Sequence, residues 1–298
     1  MNLKHINSLT KIISNSPIEY GQKFKNKKIN DVSINVLSKY LSNMSPTYRN
    51  DNFYSLWNSV KFLKKYIKKT KNNNDNLVAI FDLETNGLIF NNNKENVGGY
   101  NKKICPVCRN TDIYELDHKC CVPEILSLSF LLYDMSTEKI VKEYDFFISP
   151  DNYENYSHNL EAEKVHGITE EYLKTNGTSL ETCLKFLLEQ FTECNIVFAY
   201  NSLFDEMIVR AYAKKYNFVV NNNIYFLCAM KMLISYYNGN EKYKTTNSIG
   251  VYYKFPKLEQ VYADFFNETF NAHNSLDDIK ATCRVMTYFL NNYEKYIK

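Results

Sequence analysis

The sequence predicts an α/β fold: a mixed five-stranded sheet flanked by helices, carrying an N-terminal helical extension and an insertion after the first strand. Three observations point there. Short apolar runs at 77–83, 124–133 and 140–148 are bounded by turn residues, as the strands of an antiparallel meander are. Two later runs, 195–200 and 223–228, join as parallel edges through helical crossovers. The chain closes on an amphipathic helix, Ser275 to Tyr296, with Ile279, Cys283, Met286 and Phe289/Leu290 at helical spacing.

Residues 1–75 read as a basic helical extension. Ile34, Val36, Leu37, Tyr40 and Leu41, then Phe53, Leu56, Trp57, Val60, Phe62 and Leu63, recur at roughly helical spacing. Two or three helices are therefore expected, packing on the following domain or on a protein partner, with Thr70 to Asn76 as a linker. Residues 1–76 hold 14 Lys+Arg against 4 Asp+Glu, a balance of +10, and the remainder 22 against 29, a balance of −7; together these give the net +3. A basic arm suits contacts with a polyanion backbone. AT-rich coding is the other source of such lysine excess, and the runs Asn72-Asn73-Asn74, Asn91-Asn92-Asn93 and Asn221-Asn222-Asn223 share that bias.

Residues 76–298 read as the main domain. In the first strand Leu77-Val78-Ala79-Ile80-Phe81 leads to Asp82 and Glu84 and stops at the Asn86-Gly87 turn. Residues two apart on a strand share a face, so both carboxylates can grip one ion. Leu126, Leu128, Phe130 and Leu132 alternate with Ser127 and Ser129, consistent with a sheet covered on its Leu/Phe face. Asp205 follows the run Ile196 to Tyr200 and opens a helix expected over Glu206 to Tyr216. Asp278 lies early in the last helix, and His273 precedes it by five residues on the entering loop. Cys183, Cys194, Cys228 and Cys283 fall within apolar patterns, as core residues do.

Four carboxylates and a histidine, each at the edge of an element, suit phosphodiester hydrolysis. The diester's own charge repels a nucleophile, so that charge must be neutralised, a water deprotonated and the departing oxyanion stabilised. Two divalent cations about 4 Å apart can do all three. Magnesium and similar ions take oxygen ligands, so a few carboxylates hold them. A histidine of ordinary pKa, about 6.5, can accept the water's proton near neutrality. Crowded carboxylates also demand such counter-charge, since they cannot all stay ionised in a low-dielectric cleft.

With these segments the chain resembles the DEDDh (DnaQ-like) 3'-to-5' exonucleases of the RNase H-like superfamily. Asp82 and Glu84 match the family's first motif, Asp205 the second, and His273 with Asp278 the third. The sister group has a tyrosine four residues before the last aspartate, where this chain has Asn274. His166-Gly167-Ile168-Thr169, Cys228-Ala229-Met230-Lys231 and Phe255-Pro256-Lys257-Leu258-Glu259 follow in family order. The resemblance implies two Mg2+ or Mn2+ ions. Asp82 would bridge both, Glu84 and Asp278 complete the nucleophile-side ion, Asp205 hold the other mainly through water, and His273 act as general base. It also implies that Thr85 and Leu88 hold the terminal nucleotide of a DNA or RNA 3' end and that Asn201 orients the second motif. His166 is either a substrate contact or a loop histidine that positions the preceding helix. Asp277 lacks the ligand spacing.

The insertion, residues 89–123, carries a separate signal. Cys105-Pro106-Val107-Cys108 forms one half of a zinc knuckle, and His118 with Cys120 or Cys121 can supply the other half. Tetrahedral zinc accepts such mixed sulfur and nitrogen ligands. Its role would be structural, stapling a loop too small to build a core.

No apolar run approaches the roughly 20 residues of a membrane span, and the N-terminus lacks a secretory h-region. Eight cysteines without a secretory signal point to a reducing, intracellular setting, cytoplasmic or nuclear, and the Asn/Lys bias to a large DNA virus or an AT-rich protist. The alternative function is a catalytically inactive nuclease-fold module for nucleic-acid binding or interaction, against which the completeness of the motifs weighs.

Overall fold

The computed structural model describes residues 3–18, 22–24, 26–44, 51–69, 76–89, 94–97, 100–103, 122–151, 153, 156, 158–247 and 250–296. Three helices come first: α1 (Leu3–Asn15), α2 (Ile34–Ser42) and α3 (Asp51–Lys69). Strand β1 (Leu77–Thr85) precedes a hairpin of β2 (Lys94–Val97) and β3 (Tyr100–Lys103), and the chain returns as β4 (Ile125–Asp134) and β5 (Lys139–Ser149). Helices α4 (Leu160–His166) and α5 (Glu170–Asn176) lead to β6 (Thr178–Ser179) and α6 (Leu180–Phe191). Then follow β7 (Ile196–Ala199), α7 (Ser202–Lys215), β8 (Tyr225–Cys228), and two one-turn helices, α8 (Ala229–Met232) and α9 (Ile234–Tyr237). A second hairpin, β9 (Lys244–Asn247) and β10 (Gly250–Tyr253), precedes α10 (Leu258–Phe266) and α11 (Ser275–Asn292).

The sheet runs β6-β5-β4-β1-β7-β8. β1, β4 and β5 form the antiparallel meander, while β7 and β8 add in parallel beyond β1. The sheet has six strands rather than the expected five: Thr178 and Ser179 pair in parallel with Ile148 and Ser149 at the other edge. Two residues are too few to leave a periodic signature. The two-residue register of β1 sorts side chains cleanly between faces. Ala79 and Phe81 pack with Leu128, Phe130 and Phe226 beneath α6 and α7, whereas Val78 and Ile80 pack with Leu131, Phe198 and Leu227 against α10 and α11.

Helices cover both faces of the sheet, so the serines that alternate with the Leu/Phe side are buried as well. Ser127 and Ser129 are 2% and 0% exposed. Two helix ends also differ from expectation. α7 starts at Ser202, four residues before the expected Glu206, so Asp205 sits inside its first turn. α11 stops at Asn292, and Tyr293–Tyr296 tighten into a 3-10 turn.

The N-terminal helices join the second face. Leu9, Leu37 and Leu63 share one apolar cluster with Val78 and Ile80 of β1, and α3 lies on β8 and α7 while α1 lies on α11. Phe62 meets the Tyr225 ring edge-on at 6.0 Å. Removing a buried Leu side chain from such a site costs about 2–5 kcal/mol. Leu63→Ala is therefore expected to lower the stability of the whole chain by that amount. In urea, the fluorescence of Trp57, the single tryptophan, and far-UV circular dichroism should report one coincident transition. An earlier Trp57 transition would mean that the helices unfold separately from the sheet.

Candidate active site

The site forms at the end of β1. Asp82 and Glu84 project to the face covered by α11, directly opposite Ser129 and Ser127 of β4. The register shifts between Glu84 and Thr85, ending regular pairing where the backbone turns. The turn is tied down on three sides. Thr85 Oγ1 donates to the Gly87 carbonyl at 2.7 Å, Glu124 N–H donates to Asn86 Oδ1 at 2.8 Å, and Asn159 Nδ2 donates to the Asn86 carbonyl at 2.8 Å. Asn159 also caps α4, its Oδ1 accepting from the backbone N–H groups of Glu161 and Ala162. Leu88, 57% exposed, is presented beside this turn.

His273 and Asp278 arrive together at the start of α11. His273 is left-handed, φ 66°, a conformation that turns its N–H back to donate to Asp278 Oδ2 at 3.1 Å. Asn274 caps the helix by accepting from Asp277 N–H at 3.1 Å. One ligand atom each from Glu84, His273 and Asp278 lie within 4.8 Å of one another. Asp205, 4% exposed, completes the carboxylate group from the first turn of α7.

Burial pushes Asp82 well above the usual carboxylate range, and the charges of Asp205, Asp278 and Glu84 push it further. Glu84 is raised to about 8 by burial and then by Asp278 and Asp205. Asp205 rises to about 7 through burial, which its own N–H and that of Leu83 partly oppose. Asp278 also rises to about 7 through burial, opposed by the His273 N–H and assisted by Glu259 and Asp277. Such a group suits a hard divalent cation: oxygen donors, negative charge without counter-charge, and protons bound only for lack of something better.

The other expected contacts divide. The Thr85 hydroxyl is committed to the turn, and Asn201 is exposed at the start of α7 without capping it. His166 ends α4, and its Nδ1 accepts from Ile168 N–H at 3.0 Å, so in the neutral ring Nε2 carries the proton. Burial lowers its pKa, an effect that the nearby Glu163 partly opposes. Asp277 accepts from Asn271 Nδ2 at 3.3 Å. Cys105, Cys108, His118, Cys120 and Cys121 lie outside the described residues.

Several supporting residues escaped the sequence reading. Glu206, 4% exposed beside Asp205, is ion-paired with Arg210 Nε at 2.8 Å and lies 3.4 Å from Asn58 Nδ2 of α3. Asn274 followed by Asp277 was the one legible signal, an N-cap preceding an acidic first turn.

The sequence model of the RNase_T exonuclease family matches residues 118–286, which is 169 of 298 residues. The chain belongs to the exonuclease family. The match begins within the insertion, so Asp82 and Glu84 precede it, and β1–β4 pairing joins them to the matched part. An uncharacterized exonuclease of Acanthamoeba polyphaga mimivirus, R569, is 25% identical over 217 residues, spanning 70% of this chain and 58% of that protein. Among solved structures, Escherichia coli Exonuclease I in complex with a dA16 oligonucleotide is similar with a TM-score of 0.52 at 15% identity, over 74% of this chain and 42% of that one. Exonuclease I of Methylocaldum szegediense matches with a TM-score of 0.50 at 18% identity, over 74% and 41%. The chain thus spans less than two thirds of these relatives. At such identities the structures share the fold. Among the described residues no helix is long and apolar enough to cross a membrane.

The raised carboxyls make metal-free stability depend on pH. Each binds its proton more tightly folded than unfolded, so its stabilisation is full below about pH 4, the unfolded value, and is lost as pH rises through the folded values near 7 and 8. In chelator the melting temperature is expected to fall between about pH 5 and pH 8.5. Millimolar Mg2+ or Mn2+ should raise it, and by more at the alkaline end, where the carboxylates are free to bind. Thermal scans with and without metal across that range check both slopes.

Proposed function

We propose that the chain is a metal-dependent 3'-to-5' exonuclease that releases nucleotides from a free 3' end. The observation that carries this reading is the convergence of Glu84, Asp278 and His273, with Asp82 and Asp205 electrostatically joined to them. Divalent cations bound there would neutralise the phosphate, lower the pKa of water and stabilise the leaving oxygen. Asp82, Glu84, Asp205 and Asp278 are the residues proposed to hold two of them.

His273 is the proposed general base. Its exposure and the bond from its backbone N–H to Asp278 support a role in taking a proton from the attacking water. Leu88 offers an apolar surface for the terminal base, while Thr85 shapes the turn that presents it. His166, whose Nε2 is buried without a partner among the described residues, is proposed to position the loop after α4 through the Ile168 N–H rather than to contact substrate. Single-stranded nucleic acid is the proposed substrate class, in keeping with the dA16 and dT13 oligonucleotides bound by the E. coli structures. The cysteine and histidine cluster of the insertion is proposed to hold a structural zinc through Cys105, Cys108, His118 and Cys120 or Cys121. Elemental analysis of the purified chain should then find one equivalent, lost in Cys105→Ser.

A gel time course with 5'-labelled and 3'-labelled single-stranded DNA and RNA tests the activity. The 5'-labelled strand should shorten stepwise and the 3' label should leave as mononucleotide, both ceasing with chelator. Asp82→Ala should abolish turnover, and His273→Ala should lower kcat by about 10²–10⁴-fold with oligonucleotide binding retained. Binding without cleavage by the wild-type chain in manganese would instead identify an inactive binding module.

A further inference from the structure

We infer that a chain of three buried hydroxyls, Ser127, Ser275 and Ser129, sets the rotation of α11 and so aims Asp278 and His273 at the carboxylates of β1. This rests on the metal-site reading above. Ser127 Oγ lies 2.5 Å from Ser275 Oγ, which lies 2.6 Å from Ser129 Oγ, and Ser129 donates to Asp145 Oδ1 at 2.5 Å. Each hydroxyl carries one proton, and Ser129 gives its own to Asp145. The direction is therefore fixed: Ser127 donates to Ser275, Ser275 to Ser129, and Ser129 to Asp145. Bonds aligned head to tail polarise and strengthen one another, more so away from water. The three serines are 0–2% exposed.

The register makes this a matter for the site rather than for packing alone. Ser127 stands opposite Glu84 and Ser129 opposite Asp82, so the hydroxyls that grip α11 are cross-strand neighbours of two proposed ligands. Ser275 is the first residue of α11, and Asp278 lies three residues on, on the same helix face, followed by buried Ile279 and Thr282. Locking Ser275 against β4 thus fixes where Asp278 points. Asp278 in turn accepts the N–H of His273, which carries the alignment to the proposed base. A purely apolar contact here would resist separation yet allow the helix to rotate, whereas hydrogen bonds have direction.

Ser127, Ser129 and Ser275 are positioning residues, and outer-shell groups of this kind are worth about 10–100-fold in metal affinity or activity. The experiment compares wild type with Ser275→Ala and with the triple variant Ser127→Ala/Ser129→Ala/Ser275→Ala. The triple variant leaves no hydroxyl buried without a partner and so guards against simple misfolding. Three readouts are taken: amide hydrogen exchange over residues 271–280 in chelator, Mn2+ affinity by titration, and the kcat and KM for a 5'-labelled oligonucleotide. Both variants are expected to exchange faster over 271–280, to bind Mn2+ roughly tenfold more weakly, and to lose kcat with little change in KM. Unchanged exchange overturns the proposal. So does faster exchange with wild-type Mn2+ affinity and kcat, since the chain would then hold the helix without aiming the site. A wild type that neither binds Mn2+ nor cleaves would overturn the nuclease reading itself, and this inference with it, whatever the variants do.

Discussion

Carboxylates crowded at the end of β1 repel one another, and the fold around them is organised to hold that repulsion in place. Asp82 and Glu84 lie two apart on one strand face, Asp278 is delivered by α11, and Asp205 by the first turn of α7. Burial and mutual charge raise all four, so without a cation they hold protons instead. Such an arrangement survives only if each carboxylate sits on an element that cannot move away. β1 is flanked on both sides by paired strands, and α11 lies across it.

Rigidity is supplied from outside the acidic group by directional bonds. Asn159 joins the turn after β1 to the start of α4, and Asn274 caps α11. Beyond β7, Tyr200 donates to the Pro256 carbonyl at 2.8 Å, linking the segment before Asp205 to the one before α10. Behind Asp205, Glu206 is held between Arg210 and Asn58. That last contact ties a helix of the basic extension to the element that carries Asp205. The extension thereby braces the helix that carries Asp205 and adds to the core on the α11 face of the sheet.

Much of the site was legible in the linear sequence because its residues obey local rules. A two-residue spacing on an apolar run places Asp82 and Glu84 on one face, and the periodicity of the last helix locates Asp278 in its opening turn. The strands of the meander and the two parallel strands beyond β1 were likewise marked by apolar runs of adequate length. β6, two residues long, carries no such mark, and the start of α7 is not marked either, because Ser202, Leu203 and Phe204 suit a loop as well as a helix.

Spacing within short stretches of chain was enough to order most of the elements and to set Asp82 beside Glu84 and His273 before Asp278, and those motifs carried the resemblance to the family to which the chain belongs. Tertiary structure alone decided that Ser127 and Ser129 are buried rather than solvated, that Asn58 meets Glu206, and that His273 turns left-handed onto Asp278. The reason is physical. Cross-strand register and helix rotation bring together Ser127 and Ser275, 148 residues apart, and no local propensity encodes a hydrogen bond whose two partners are chosen by how a helix lies across a sheet.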